Sequence, residues 1–341
     1  MRLRQHFWWL RRLAVVPIHL LIFSLAVFLI VRMVPGDPVL TLAGGQPMSH
    51  QQYEAAQRAL GLSGSIFDQL GTYLYRVVTL NFGTSIVDGT NVLAQLGTRL
   101  PETLELAVIA LTFTIVLTAC LSFLAVLRPR LIVSRVIVVY ARAAGALPDF
   151  CLGVLGIILF YSTLHIAPAP IGFYSPDLNP PTSITGFPIL DAVLSGDSVL
   201  LGSMLAHLWL PTLVLVLAYA PILTKLFMRS LEQAIEAQAT RFRIASGASR
   251  SMVMLSIARR ALPSTVAMLG MLFGLMLGGV VVVEQLFAIP GMGLYAVQAV
   301  QRADFVALQG FLLLIGLISL LVYFLVDVVN MLLDPRRRPA S

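Results

Sequence analysis

The amino-acid sequence predicts an all-α integral membrane protein with six transmembrane helices and both termini in the cytoplasm. Three observations carry that expectation. Of 341 residues, 58% are hydrophobic and only 11% are charged, whereas a soluble domain carries about 25% charged residues. Five apolar runs (13–31, 106–127, 204–224, 262–283 and 305–326) hold no formal charge over 19 to 22 residues each, long enough to cross about 30 Å of hydrocarbon. The basic residues are also strongly asymmetric between the two sides that this layout creates, the pattern that orients membrane proteins.

The elements follow in chain order. Residues 1–12 hold Arg2, Arg4, Arg11 and Arg12 and are expected inside. This start resembles a signal peptide, but no small-residue cleavage site follows, so the first span (13–34) reads as retained. Residues 35–100 form an external segment. Within it "HQQYEAAQRAL" (50–60) reads as a short helix with Ala55, Ala56 and Leu60 on one side, and "PGDP" marks a turn. The second span is 101–127, followed by an internal loop at 128–134. The third span, 135–164, contains Arg142, Pro148 and Asp149, and is either one helix kinked near Pro148 or two short spans. Parity decides: basic residues flank both ends of the chain, the last group being Arg336, Arg337 and Arg338, so the number of spans is even and one kinked span gives six. The remainder is an external loop (165–203), a fourth span (204–228), a large internal loop (229–261), a fifth span (262–283), an external loop (284–304), a sixth span (305–330) and an internal tail (331–341). Seventeen basic residues then lie inside and four outside.

The internal loop is longer than topology requires. Apolar residues at 231, 234, 235, 242 and 245 mark one helix face, Gly247 permits a turn, and 252–261 is a second helical run. "RFRIASGASRS" (241–251) at its centre exposes arginines, which suits a cytoplasmic partner. Bland readings stand beside the sharp ones. A basic loop also fixes topology. Gly270, Gly274 and Gly278 recur every four residues and make a groove for a close helix, either inside the chain or against a second subunit. Arg142 and Asp149 either pair or line a polar pathway. Glu284 and Asp327 sit at span ends, where interfacial exposure outweighs a solute role, and Arg32 reaches the outer interface.

Several functions are excluded. The net charge of +7 comes from 22 arginines and one lysine placed as topology signals, with no basic block beside stacking aromatics for nucleic acid. Cys120 and Cys151 lie in apolar runs as small hydrophobes. No His, Cys or carboxylate spacing forms a metal site, and His207 reads as structural. The one lysine, Lys225, follows "YAPILT", which lacks the glycines of a phosphate-binding loop. If the chain works with ATP, another chain must hydrolyse it. No catalytic residue is expected.

At these residues the chain resembles a permease subunit of binding-protein-dependent ABC importers, in the oligopeptide/dipeptide/nickel group. The similarity runs through "VRMVPGDP" (31–38), "ALGL" (59–62), "LNFGTS" (80–85), "RLPETLEL" (99–106), "TGFPILDAVLSGD" (185–197), "HLWLP" (207–211), "VVEQLFAIPGMGLYAVQAVQRADFVALQG" (282–310) and "LLDPRRR" (332–338). It implies a type I importer-like permease domain over about 95–335. It implies as partners a homologous second permease subunit, two ATPase subunits carrying ATP and Mg, an extracytoplasmic substrate-binding protein and membrane lipid, with no cofactor on this chain. It also implies that Arg241, Phe242, Arg243, Ala245, Ser246, Gly247 and Ala248 form the coupling element on the ATPase. Phe242 and Arg243 stand where that family usually has small alanines. The solute implied is a peptide or a related small solute such as a nickel chelate. A stand-alone secondary transporter or channel is the alternative, and it would be expected to show inverted repeats; none is visible. A structural or assembly subunit would not need the coupling loop.

Overall fold

The computed structural model describes residues 16–33, 39, 49–59, 63–143 and 145–333. The basic residues at both chain ends, all of "ALGL" after Ala59 and most of "VRMVPGDP" therefore lie outside the described residues. Those that are described are helical, apart from connections and one isolated bridge between Thr84 and Asn91. In order the helices are α1 (Val16–Met33), α2 (His50–Ala59), α3 (Ile66–Val78), α4 (Val92–Leu127), α5 (Ile132–Arg142), α6 (Asp149–Gly156, continued by a π-helical stretch Ile157–Thr163), α7 (Pro188–Ser195), α8 (Ser198–Glu236), α9 (Gln238–Ala245), α10 (Arg250–Leu286), α11 (Met292–Gln301) and α12 (Phe305–Leu333). Four of these, α4, α8, α10 and α12, are long and apolar enough to cross a membrane, and two shorter apolar helices cover Pro17–Ile30 and Asp149–Thr163.

The long helices exceed the expected spans. The 39 residues of α8 and the 37 of α10 correspond to roughly 58 and 56 Å at 1.5 Å per residue. Each start is set by a local donor–acceptor choice. Asn91 accepts the Ala94 amide, Asp197 that of Leu200 and Ser249 that of Met252, satisfying amides that the first helical turn leaves orphaned. Pro101, Pro211, Pro221 and Pro263 lie inside the long helices, as tight helix packing allows in membrane bundles.

The core lies where α4, α8 and α10 meet, around Leu106, Ala110, Met204, Leu215, Leu223, Leu272, Met276 and Val280. Small and hydroxyl residues let α4 and α8 approach closely: Thr118 and Thr224 lie 3.3 Å apart, and Ser122 donates to the Thr224 carbonyl at 3.5 Å. Such residues hold helices together where lipid offers no hydrophobic drive. On the other side of α10, α12 packs against both α10 and α1.

The third apolar segment departs from a single kinked helix. It is two helices separated by residues 143–148. Gly145 has a left-handed φ of 76°, and Pro148 sets the extended N-cap of α6. A proline disfavours helix in the residue before it and offers no amide, so the chain unwinds instead of bending. The large loop expected at 229–261 also shrinks. α8 runs unbroken to Glu236 and α10 begins at Arg250, leaving only residues 237–249 between them, with α9 as an insert of about two turns.

Candidate functional site

The tip at 238–249 is built on a stiff base. Phe227, Leu231 and Ala234 of α8 pack with Ile257 and Ala261 of α10 and with Phe123 of α4. The Phe123 and Phe227 rings meet edge-on at 5.6 Å. Ser230 and Ser264 share a 2.8 Å hydrogen bond across the two helices. At Ala237 the backbone turns to φ −59°, ψ 140°, which ends α8 and redirects the chain. Buried Thr240 anchors the insert by donating to the Ala234 carbonyl at 2.5 Å, and the Arg260 guanidinium donates to both Thr240 and Ala234.

Beyond that anchor the chain touches little. Arg241, Phe242, Arg243, Ala245, Ser246 and Gly247 are exposed and Ala248 is half-buried. Phe242 is 72% and Ile244 61% exposed. Gly247 takes φ 75° with open space around its missing Cβ, so the turn needs glycine for its backbone and not for room. The structure thus brings the seven expected coupling residues together on one projecting element. It adds Ile244, which the helix-face reading passed over.

The expected pathway residues are split. Arg142 and Asp149 form no ion pair among the described residues. Asp149 instead accepts a 2.6 Å hydrogen bond from the Tyr219 hydroxyl, which also lies 3.1 Å from the Leu275 carbonyl. A Cβ on Gly270 would meet the Tyr323 ring at 3.0 Å, and one on Gly274 would lie 3.9 Å from it, so these two seat α12 within the same chain. Gly278 has nothing within 4 Å, whereas its neighbour Gly279 is the crowded position: a Cβ there would fall 2.4 Å from both Asp149 Oδ2 and the Tyr219 hydroxyl. The four-residue spacing pointed one residue away from the closest approach.

Glu284 is a correction. It is fully buried, not exposed at an interface. It accepts from the Thr103 hydroxyl (2.6 Å) and from the amides of Gly293 (2.6 Å) and Leu294 (3.0 Å), while Met292 N–H donates to Thr103 at 2.8 Å. The carboxylate therefore caps α11. This explains "IPGMG": a Cβ on Gly291 would lie 2.3 Å from Glu284 Oε1, and one on Gly293 would lie 2.6 Å from Val281 Cα. Glu105 does the same for α7, accepting from Ile189 (3.0 Å) and Leu190 (3.3 Å). Asp304 caps α12 through Ala307 and takes a 2.5 Å bond from Ser85 of "LNFGTS". Burial pushes the Asp191 carboxyl up, but donors from Thr185 and Gly186 outweigh it and hold the group below its usual range. Glu105, Glu284 and Asp304 are thus structural caps of α7, α11 and α12.

Other expectations resolve simply. Arg32 ties α1 to α3 by donating to Gln69 at 2.5 Å, with its guanidinium 3.5 Å above the Phe28 ring. The His207 ring lies 2.7 Å from the Ser203 carbonyl. Ala55 on the short external helix is exposed, and Asp327 is half-buried within α12.

Comparison with known proteins identifies sequence relatives of the chain. Residues 120–339 match the family model described as "Binding-protein-dependent transport system inner membrane component". Residues 6–107 match the one for the N-terminal part of such membrane components. The chain is similar to the "Probable D,D-dipeptide transport system permease protein DdpB" of Escherichia coli (strain K12), with 33% identity over 91% of each chain. It is also similar to the "Dipeptide transport system permease protein DppB" of the same strain, with 28% identity over 96% of this chain and 98% of the relative.

Proposed function

Because the chain belongs to the family of binding-protein-dependent transport system inner membrane components, a multi-pass component of a bacterial inner membrane, we propose that it forms half of the translocation pathway of an ATP-driven peptide importer. The second half is a homologous permease subunit. Two ATPase subunits carry ATP and Mg, and an extracytoplasmic binding protein delivers the solute. This chain binds no nucleotide and hydrolyses nothing. Peptide as the solute rests on the two relatives named for dipeptides.

In this reading six apolar segments cross the membrane with both termini inside: α1, α4, the α5–α6 pair, α8, α10 and α12. The external helices α7 and α11, held by Glu105 and Glu284, face the binding protein. The ATPase takes the tip at 238–249.

The observation that carries the reading is that exposed tip, with Phe242 and Ile244 on α9 between α8 and α10, which run without interruption into the core. From Glu236 to Tyr219, α8 is a lever of about 26 Å, with Pro221 beside Tyr219 as a place where it can bend. Closure of the ATPases around α9 moves both levers together and exchanges outward for inward access, a rigid-body transition between two packed states. The test is uptake of labelled dialanine by proteoliposomes holding the assembled complex and binding protein. Uptake that requires internal ATP supports the reading. Uptake that follows an ion gradient and ignores ATP overturns it in favour of a stand-alone transporter.

A further inference from the structure

The break between α5 and α6 lies apart from the tip at 238–249. Its two ends are pinned to one stretch of α8: Tyr140 OH donates to the Leu217 carbonyl at 3.4 Å, and Tyr219 OH donates to Asp149 Oδ2 at 2.6 Å. In the six-span layout proposed above, this level falls within the membrane. α10 continues from Gly279 to its end at Leu286, roughly 10 Å of helix, and α8 runs about 26 Å further toward the cytoplasm. Yet Ala143, Gly145, Ala146, Leu147 and Pro148 are exposed, and Asp149 is only half-buried. Phe150 and Leu275 beside it are 54% and 51% exposed.

Non-helical backbone at membrane depth is tolerated only where protein buries it or water lines it. An ionisable side chain there carries the same restriction. Lipid is therefore excluded as the neighbour of this patch. The carboxylate is also deliberately placed. Tyr219 holds Oδ2, Gly279 leaves the space for both groups, and no hydrogen bond to Oδ1 forms among the described residues. Arg142, in the last turn of α5, complements the partial negative charge of that helix end and needs no further role.

We propose that this break is a water-lined contact station for the solute, and that Asp149 is its cation-binding residue, taking the ammonium group of a peptide in transit. The proposal rests on the importer reading above and adds a specificity-determining residue within the permease itself.

The test uses the assembled complex in proteoliposomes, with Cys120→Ala and Cys151→Ala to remove native thiols and Leu147→Cys as the reporter. Cationic and anionic water-soluble methanethiosulfonates are applied, and their rates are normalised to a free thiol. The Asp149 carboxylate, two residues from the reporter, should favour the cationic reagent severalfold in a water-like dielectric. Adding Asp149→Asn, which keeps an acceptor for Tyr219, should bring the ratio to about one, and should raise the KM for dialanine uptake severalfold in the parent protein. Two results overturn the proposal. Leu147→Cys that reacts with neither reagent in an intact complex means that the second permease subunit covers the patch. A charge ratio unchanged by Asp149→Asn means that the carboxylate does not face the water. Absence of ATP-driven dialanine uptake by the unaltered complex removes the peptide reading instead, and the reagent ratio still decides whether Asp149 faces a water-filled path.

Discussion

Removing the Glu284 carboxylate tests whether the buried acids are structural. Glu284→Ala strands the amides of Gly293 and Leu294, while Thr103 can turn to the Arg99 carbonyl at 3.5 Å. Each stranded buried donor costs about 1–3 kcal/mol. Allowing for coupling within one network, the loss should be about 3–5 kcal/mol. Glu284→Gln keeps one oxygen where both amides can donate and presents an NH2 group to Thr103, so its cost should stay under about 1.5 kcal/mol. At about 2–4 °C per kcal/mol, the alanine variant should lower the thermal midpoint of the detergent-solubilised protein by roughly 6–20 °C and the glutamine variant by less than about 6 °C. Release of α11 should also expose the bond after Arg302, at the C-cap of that helix, to trypsin. Equal shifts for the two variants, or a neutral Glu284→Ala, would refute the capping account and return Glu284 to the candidates for solute contact.

Three further outcomes follow from the same geometry. Gly293→Ala places a Cβ 2.6 Å from the Val281 backbone, so it should cost about 1–3 kcal/mol, whereas Gly278→Ala, with open space around it, should leave the thermal midpoint almost unchanged. Phe242→Ala should leave stability within about 0.5 kcal/mol, as for exposed positions generally, yet uncouple ATP hydrolysis from uptake in proteoliposomes. The Asp191 carboxyl is held below its usual range, so its contribution is complete above the unfolded value of about 3.9 and is lost as pH falls through the lower folded value. The external segment around Thr185 and Gly186 should resist pepsin near pH 5 and open below about pH 4, and Asp191→Asn should flatten that dependence.

The helical class and the exposed element at 238–249 were legible because they rest on composition and on one apolar stripe. A charge-free run of about twenty residues has few alternatives to a helix, and "RFRIASGASRS" stands out against its surroundings. The carboxylates were harder. A Glu at the end of a span looks the same in sequence whether it meets water, solute or the amides of another helix, and only the fold brings Glu284 to Gly293. The two glycines of "IPGMG" were the available signal, since glycines that close together suggest a near approach by a side chain or backbone. The break at 143–148 was half legible: Pro148 marked the place, but whether the helix bends or unwinds depends on Gly145 adopting a left-handed φ. The pairing of Asp149 with Tyr219 across 70 positions left no trace in local pattern. The close crossing of α6 and α8 on α10 falls at Gly279, one residue after Gly278, and a helix-face spacing of four does not mark it.

The central claim, that the tip at 238–249 is where an ATPase subunit engages this chain, is tested most directly by co-purification from detergent-solubilised membranes. The tagged protein is compared with Phe242→Asp, an exposed substitution that leaves the fold intact. The account predicts that the unaltered chain brings down an ATPase and a second permease subunit, and that Phe242→Asp keeps the permease partner but loses the ATPase. An unaltered chain that brings down its permease partner but no ATPase, or a Phe242→Asp variant that retains the ATPase in full, would contradict it.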